Sequence, residues 1–462
     1  MRLDGGHAGR TRGEFDRPTK GIRSSRSLLG RFRGCRQGEW AKRRLGELPP
    51  FSTPHPRKVK YIFCPCFLQT YTLPSPSRPF AFPAEPWFGT GGAMTAILFS
   101  PYQLRDVPFR NRIGVSPMCQ YWSHDGFASE WHLVHLASRA VGGAALVLTE
   151  AAAVETRGRI TPYDLGIWSD DHIPMLANIA KFIREYGAVP GIQLAHAGRK
   201  ASVQRPWEGG RSIADSDGGW PTVAPSPIAF GGPKNELWKV PAELSGGEIS
   251  QIQQAFVAAA RRALQAGFRL VELHFAHGYL GHSFLSPITN HRTDRYGGSL
   301  ENRVRFAVET VEQVRQVWPA ELPLAMRVSA SDWLAGGWDI GQTVQLARLL
   351  KPLGIDLIDC SSGGIAPGVK YDTRTAYQVP FAEQVQRQAG VLTAAVGSIT
   401  KPNVAEEILQ EQKATFIFLA RAMLDDPYWP LHASFKLNSR DALAMPSPYE
   451  YVLKHPIIAA HN

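Results

Sequence analysis

From residue 94 onward, short runs rich in Val, Ile and Leu alternate with stretches whose apolar residues recur every three or four positions. Eight such runs stand out, at 113–116, 145–150, 189–194, 270–274, 324–328, 356–360, 392–396 and 416–419. Helical periodicity separates them, most clearly over 248–266, where Ile249, Ile252, Phe256, Val257, Ala260, Ala263 and Leu264 share one face. That stretch opens on Ser245-Gly-Gly-Glu248, the spacing of a capping box, and stops at Gly267. Further helices are predicted over 171–186, 301–317, 340–352 and 402–412. Strand alternating with helix predicts an α/β fold with a parallel sheet, and eight strands predict a single closed (β/α)8 TIM barrel. A doubly wound sheet is the alternative, but no glycine-rich dinucleotide turn follows the first strand. Residues 203–244 interrupt the rhythm with Gly, Pro and three Trp. A connection that long, placed after the third strand, predicts a lid over the barrel mouth.

Residues 1–93 show no such rhythm. They run from Arg, Gly and Ser to Pro-rich sequence, a composition that predicts a disordered extension. This segment holds 17 Lys and Arg against 6 Asp and Glu, the whole of the chain's +11 charge; the other 369 residues carry 34 of each. A neutral barrel offers no groove-sized basic surface, so no nucleic-acid partner is expected there. The arm reads either as a targeting or nucleic-acid-binding segment or, the preferred expectation, as sequence upstream of a true start at Met94. No run of 18 apolar residues occurs, so no membrane span is expected. Only Cys119 and Cys360 lie beyond the arm, which argues against a disulfide scaffold and for a cytoplasmic protein.

A barrel of this type carries its site at the C-terminal ends of its strands. Those ends read Ser116-Pro117-Met118-Cys119-Gln-Tyr121, Glu150-Ala151, Gln193-Leu-Ala-His196, His274-Phe-Ala-His277-Gly-Tyr279, Arg327, Ser361-Ser-Gly-Gly364, Gly397-Ser398 and Ala420-Arg421. Every end is polar, small or reactive. Gly397 after strand seven and Arg421 after strand eight suit a phosphate, which barrels bind at those loops. Gln193 and Arg327 suit the amide edge of a flat redox heterocycle, whose reduced form a nearby cation stabilises. Phosphate and heterocycle together indicate FMN. Two His three residues apart could instead hold zinc, but no further ligand context accompanies them, so no metal is expected.

The stretches Gly191-Ile-Gln-Leu-Ala-His-Ala-Gly-Arg-Lys200, His274-Phe-Ala-His-Gly-Tyr-Leu280 and Asn290-His-Arg-Thr-Asp-Arg-Tyr-Gly-Gly-Ser-Leu-Glu-Asn-Arg303 resemble the old yellow enzyme family. From residue 94 to about 450 the chain is most similar to its thermophilic-like class III subgroup, with NADPH dehydrogenases and xenobiotic reductases. The resemblance implies an FMN-dependent ene-reductase with NADPH as hydride donor. The acceptor would be a small electron-poor molecule: an enone, a quinone or a nitro compound. FMN would be held by Ser116, Pro117, Met118, Cys119, Ala151, Gln193, Arg327, Gly397, Ala420 and Arg421. His274 and His277 would bind the substrate carbonyl oxygen, Tyr279 would protonate the α-carbon, Tyr121 would line the pocket and Cys119 would tune the flavin.

Three departures from the family pattern bear on these roles. Ala420 stands where a Gly is usual, which requires that its φ not be positive. The 203–244 insertion is longer than in compact members. In some members a C-terminal Arg enters the neighbouring subunit's site within a homo-oligomer, a dimer or tetramer; here Tyr451 aligns with it. Relatives with an iron–sulfur segment after the barrel are set aside, since no cysteine follows Cys360.

Overall fold

Eight parallel strands close on themselves in chain order. They are β1 (Ile113–Val115), β2 (Leu146–Ala153), β3 (Val189–Ala195), β4 (Leu270–Phe275), β5 (Leu324–Ser329), β6 (Leu357–Ser361), β7 (Leu392–Ala395) and β8 (Phe416–Leu419). The structure is a computed structural model that describes residues 95–231, 237–371, 373–443 and 445–453; the segment 1–93, with its expected disorder, lies outside them. Closure comes from β8 pairing β1, with Phe418 beside Gly114. A Cβ at Gly114 would meet the Phe418 ring at 2.5 Å, so the seam needs glycine there. The strands are buried almost throughout, which is why they read as continuous apolar runs and not as alternation.

Each strand is followed by a helix: α1 (Glu130–Val141), α2 (Ile173–Glu185), α3 (Gly246–Gln265), α4 (Leu300–Arg315), α5 (Ile340–Leu350), α6 (Val379–Ala389), α7 (Pro402–Gln410) and α8 (Trp429–Lys436). The expected capping box is present: Ser245 Oγ accepts from Glu248 N, and Glu248 Oε2 accepts from Ser245 N at 2.9 Å. Between α3, β4 and α4 four phenylalanines interlock: Phe256 lies 6.2 Å from Phe275, Phe275 5.6 Å from Phe306, and Phe284 stacks on Phe306 at 4.4 Å. Each such ring contributes about 1.5–3 kcal/mol by leaving water. Phe306→Ala would cost about 3–5 kcal/mol.

Sequence periodicity did not predict α1, α6 and α8, or the antiparallel hairpin of Tyr102–Leu104 and Val107–Phe109. In α1 the buried face includes His132, His135 and Arg139, which hides its apolar stripe. The hairpin lies at the other end of the barrel from the site, tied by the 2.7 Å Arg105–Asp356 ion pair and by Phe109 packing on Phe416. The described residues of the insertion form turns, a short parallel pair of Val223–Ala224 with Ala242–Glu243, and an antiparallel bridge of Val203 with Ser212. Among the described residues no helix is long and apolar enough to cross a membrane.

Candidate active site

The strand ends gather most of the candidate residues in one place. Beyond β1, Ser116 N still donates to Leu419 O of β8 at 2.9 Å, and the chain then leaves the sheet through Pro117 and Met118. Gln120 N donates to Glu150 Oε2 at 2.9 Å, and Glu150 Oε1 lies 3.1 Å from His132 Nε2 of α1. This buried acid fixes the turn on which Cys119 and Tyr121 stand. Tyr121 adopts a left-handed backbone with φ 53°. Burial, then the charges of Glu150 and Asp164, push the Cys119 thiol up, so it stays protonated.

Inside the barrel a polar layer spans β3 to β6. Gln193 Nε2 donates to Glu272 Oε1 at 2.7 Å, and Arg327 Nε stands 3.0 Å from Asp359 Oδ2. Burial raises Glu272 to about 8, with the neighbouring Asp359 adding and Arg327 opposing; Asp359 itself is raised to about 6 by burial. Burial thus favours the neutral form of both acids, and the nearby Arg327 opposes it. The Arg327–Asp359 contact lacks hydrogen-bond alignment, so Arg327 Nε keeps an unspent donor, and the buried Ser116 Oγ and His274 Nδ1 are likewise without a hydrogen-bond partner. Unpartnered polar atoms on the ends of β1, β4 and β5 are what a ring with a polar edge requires, and the set fits FMN.

At the end of β4 the chain turns through His277 (φ 60°) and Gly278 (φ 74°). A Cβ on Gly278 would meet Gly364 O at 2.1 Å, so this turn needs glycine for space and for conformation. His282 Nδ1 accepts from Gly278 N at 2.9 Å, while His282 Nε2 lies 2.8 Å from Asp332 in a fully buried pair. The turn brings His274, His277 and Tyr279 together: the His274 ring is 5.2 Å from each of the other two. Burial, then the Arg327 charge, lowers both imidazoles well below the usual range, so both are neutral at pH 7 and each carries a single N–H. Burial raises the Tyr279 hydroxyl, which keeps its proton. Cys119, Tyr121 and Tyr279 pack on one apolar group of Ile160, Ala197, Ala201 and Val203.

The phosphate candidates lie at the ends of β7 and β8. Gly397 has φ 114°, and Gln378 Nε2 beside it donates to Val396 O. Ala420 has φ −104°, so no left-handed backbone stands against the replacement of the usual glycine, and Arg421 is exposed at the start of the short helix Arg421–Asp425. Tyr377 feels the charges of both Arg421 and Arg327, which joins this edge to the barrel centre. Tyr451 is apart from these groups, 74% exposed on the helix Ser447–Leu453.

Two groups carry no role in the sequence reading. Lys200 Nζ donates to His277 O at 2.8 Å and to Gly364 O at 3.3 Å and stands 5.0 Å from the Tyr279 ring; burial, then Arg199, lowers it to about 7. Asp164 is buried beside both tyrosines and raised to about 7 by burial, its oxygens accepting from Ile160 N and Thr161. The Gly-Arg-Lys200 motif was visible, but only the fold shows which way its lysine lies. The conspicuous 290–303 stretch is tied down by backbone contacts: Asn290 Nδ2 donates to Phe284 O and Tyr296 O, and Arg292 to Leu244 O.

Residues 97–440 match the NADH:flavin oxidoreductase / NADH oxidase family. An NADPH dehydrogenase of Bacillus velezensis is 46% identical over 360 residues, 78% of this chain and 99% of the relative. Among solved structures, a 2-naphthoyl-CoA reductase complex superposes with TM-score 0.66 at 25% identity; the match covers 75% of this chain and 53% of the other, so this chain spans about half of that protein. An old yellow enzyme homologue of Zymomonas mobilis superposes with TM-score 0.62 at 25% identity, covering 79% of this chain and 98% of the other. The FMN cofactor and NADPH donor expected from the sequence agree with these matches. With the family matched across the whole barrel and the strand ends arranged as described, the chain belongs to the NADH:flavin oxidoreductase / NADH oxidase family, as an oxidoreductase of the old yellow enzyme type.

Proposed function

We propose that this protein is an NADPH-dependent ene-reductase that saturates the C=C bond of α,β-unsaturated carbonyl compounds. The observation that carries this reading is the pair of neutral imidazoles, His274 and His277, grouped with a protonated Tyr279. The two imidazole N–H groups bind the substrate carbonyl oxygen and stabilise the negative charge that develops on it. Tyr279 holds the proton that the α-carbon takes up. Tyr121 orients the substrate from the facing wall, and Lys200 supports the His277 turn with a charge that burial weakens. Ser116, Pro117, Met118, Cys119, Ala151, Gln193, Arg327, Gly397, Ala420 and Arg421 are assigned to FMN, with Arg327 at the ring and Arg421 at the phosphate. When bound, FMN supplies hydride chemistry between NADPH and the acceptor. Quinones and nitro compounds fit the same pocket as acceptors.

Residues 94–462 form the catalytic unit, with 203–244 shielding the pocket from water. Exposed Trp122 and Trp131, 6.0 Å apart, together with Val134 on α1 make an apolar face that suits a homo-oligomer, a dimer or a tetramer. The free thiols of Cys119 and Cys360 suit a reducing cytoplasm. The reading is tested anaerobically on the holoenzyme by its visible spectrum. NADPH should bleach the flavin absorbance and 2-cyclohexen-1-one should restore it; recovery with a quinone but not with the enone would overturn the ene-reductase reading.

A further inference from the structure

Residues 203–212 leave the body of the insertion as a small hairpin. Val203 bridges Ser212, and Gln204 N donates to Arg211 O at 2.8 Å. The tip carries Trp207 in the turn Pro206–Glu208, which closes on two left-handed glycines, Gly209 and Gly210. The tip is held in place: the Arg205 guanidinium lies between the Tyr163 ring at 4.1 Å and the Trp207 ring at 5.2 Å, and it pairs with Glu208. An indole anchored in this way nevertheless leaves 60% of its surface in water. Among the described residues its ring partner is Tyr121, at 5.9 Å and 70°, so the two rings meet edge to face at a corner. The corner continues into the apolar group around Tyr279.

We propose that Trp207 is a specificity-determining residue: with Tyr121 it forms an outer aromatic wall of the acceptor pocket that selects substrates bearing an aryl group. The assignment rests on the reading of Tyr121 as a pocket residue. A flat ring placed in the corner meets one aromatic face and one aromatic edge, the two geometries aromatic pairs prefer, and covers indole surface that water otherwise wets. An alicyclic enone has no aromatic face or edge to offer that contact. The preference therefore resides where the insertion meets the turn after β1.

The test uses the oxidised holoenzyme, titrated with 4-phenyl-3-buten-2-one and with 2-cyclohexen-1-one while the flavin spectrum reports binding. Trp207→Ala should weaken the aryl ketone roughly tenfold and the cyclic ketone less than twofold, and Trp207→Phe should keep most of the aryl affinity. Equal losses for both ligands, or no loss, would overturn the proposal. So would a change of oligomeric size in Trp207→Ala on gel filtration, since a second copy of the chain would then be what covers the indole. Binding needs no turnover, so the outcomes separate: an aryl-selective loss in a protein whose reduced flavin neither enone reoxidises would sink the ene-reductase reading and leave the wall standing.

Discussion

The ring of His274 stands 5.2 Å from the ring of Tyr279, inclined at 68°. Strand β4 delivers His274, and two left-handed residues, His277 and Gly278, fold the chain back so that Tyr279 returns to the same corner. A hydrogen-bond donor and a proton source thus reach one small space from a six-residue segment. The precision lies in the turn, so the turn should be sensitive.

Gly278→Ala places a methyl group 2.1 Å from Gly364 O on a backbone with φ 74°. The left-handed conformation alone costs about 1–2 kcal/mol for a residue with a Cβ. The variant should melt several degrees lower and lose most enone turnover. A melting curve identical to wild type would show that the turn is softer than its geometry implies.

Cys119 should affect the flavin's electronics more than its retention. Cys119→Ser is expected to keep one FMN per chain while shifting the reduction potential and the Michaelis constants, read by spectroelectrochemistry and steady-state kinetics. An unchanged potential with unchanged kinetics would reduce the thiol to packing.

Glu272 should leave a signature in stability against pH. Burial raises its carboxyl to about 8 in the folded barrel, against about 4.3 in the unfolded chain. Between those values the folded state holds the extra proton, so this group's contribution is fully present below about pH 4.3 and is lost as pH rises through 8. On flavin-free protein, Glu272→Gln should gain melting temperature relative to wild type at pH 9 and much less at pH 5. A difference independent of pH would show that Glu272 is ionised in the fold throughout.

The barrel was legible because its strands are buried on both faces and its helices are amphipathic; all eight runs became strands, within a few residues of their expected ends. Helix α1 was not legible, because His132, His135 and Arg139 occupy its inner face and are satisfied there by partners such as Glu150 and Met423 O. The site was legible as a circle of polar strand ends. What the sequence could not supply was direction. Lys200, Asp164 and Trp207 sit in loops whose course depends on contacts far along the chain, such as Trp220 Nε1 donating to Arg157 O at 3.0 Å.

The extension is tested by removal. A chain beginning at Met94 should bind FMN, melt and turn over as the full chain does. Loss of flavin or a lower melting temperature would show that residues 1–93 contribute to the barrel.

The most direct test of the account is the pair of half-reactions of Tyr279→Phe followed by stopped flow. Flavin reduction by NADPH needs no proton delivered to carbon, so it should run near the wild-type rate. Reoxidation by 2-cyclohexen-1-one should slow by roughly 10²–10⁴-fold, the range for a lost general acid, while a quinone suffers less. His274→Ala should instead weaken enone binding and slow its reduction together, with about 2.7–4 kcal/mol of transition-state stabilisation lost. If Tyr279→Phe is reoxidised by cyclohexenone at the wild-type rate, the proton does not come from Tyr279, and the role assigned to this corner of the barrel is wrong.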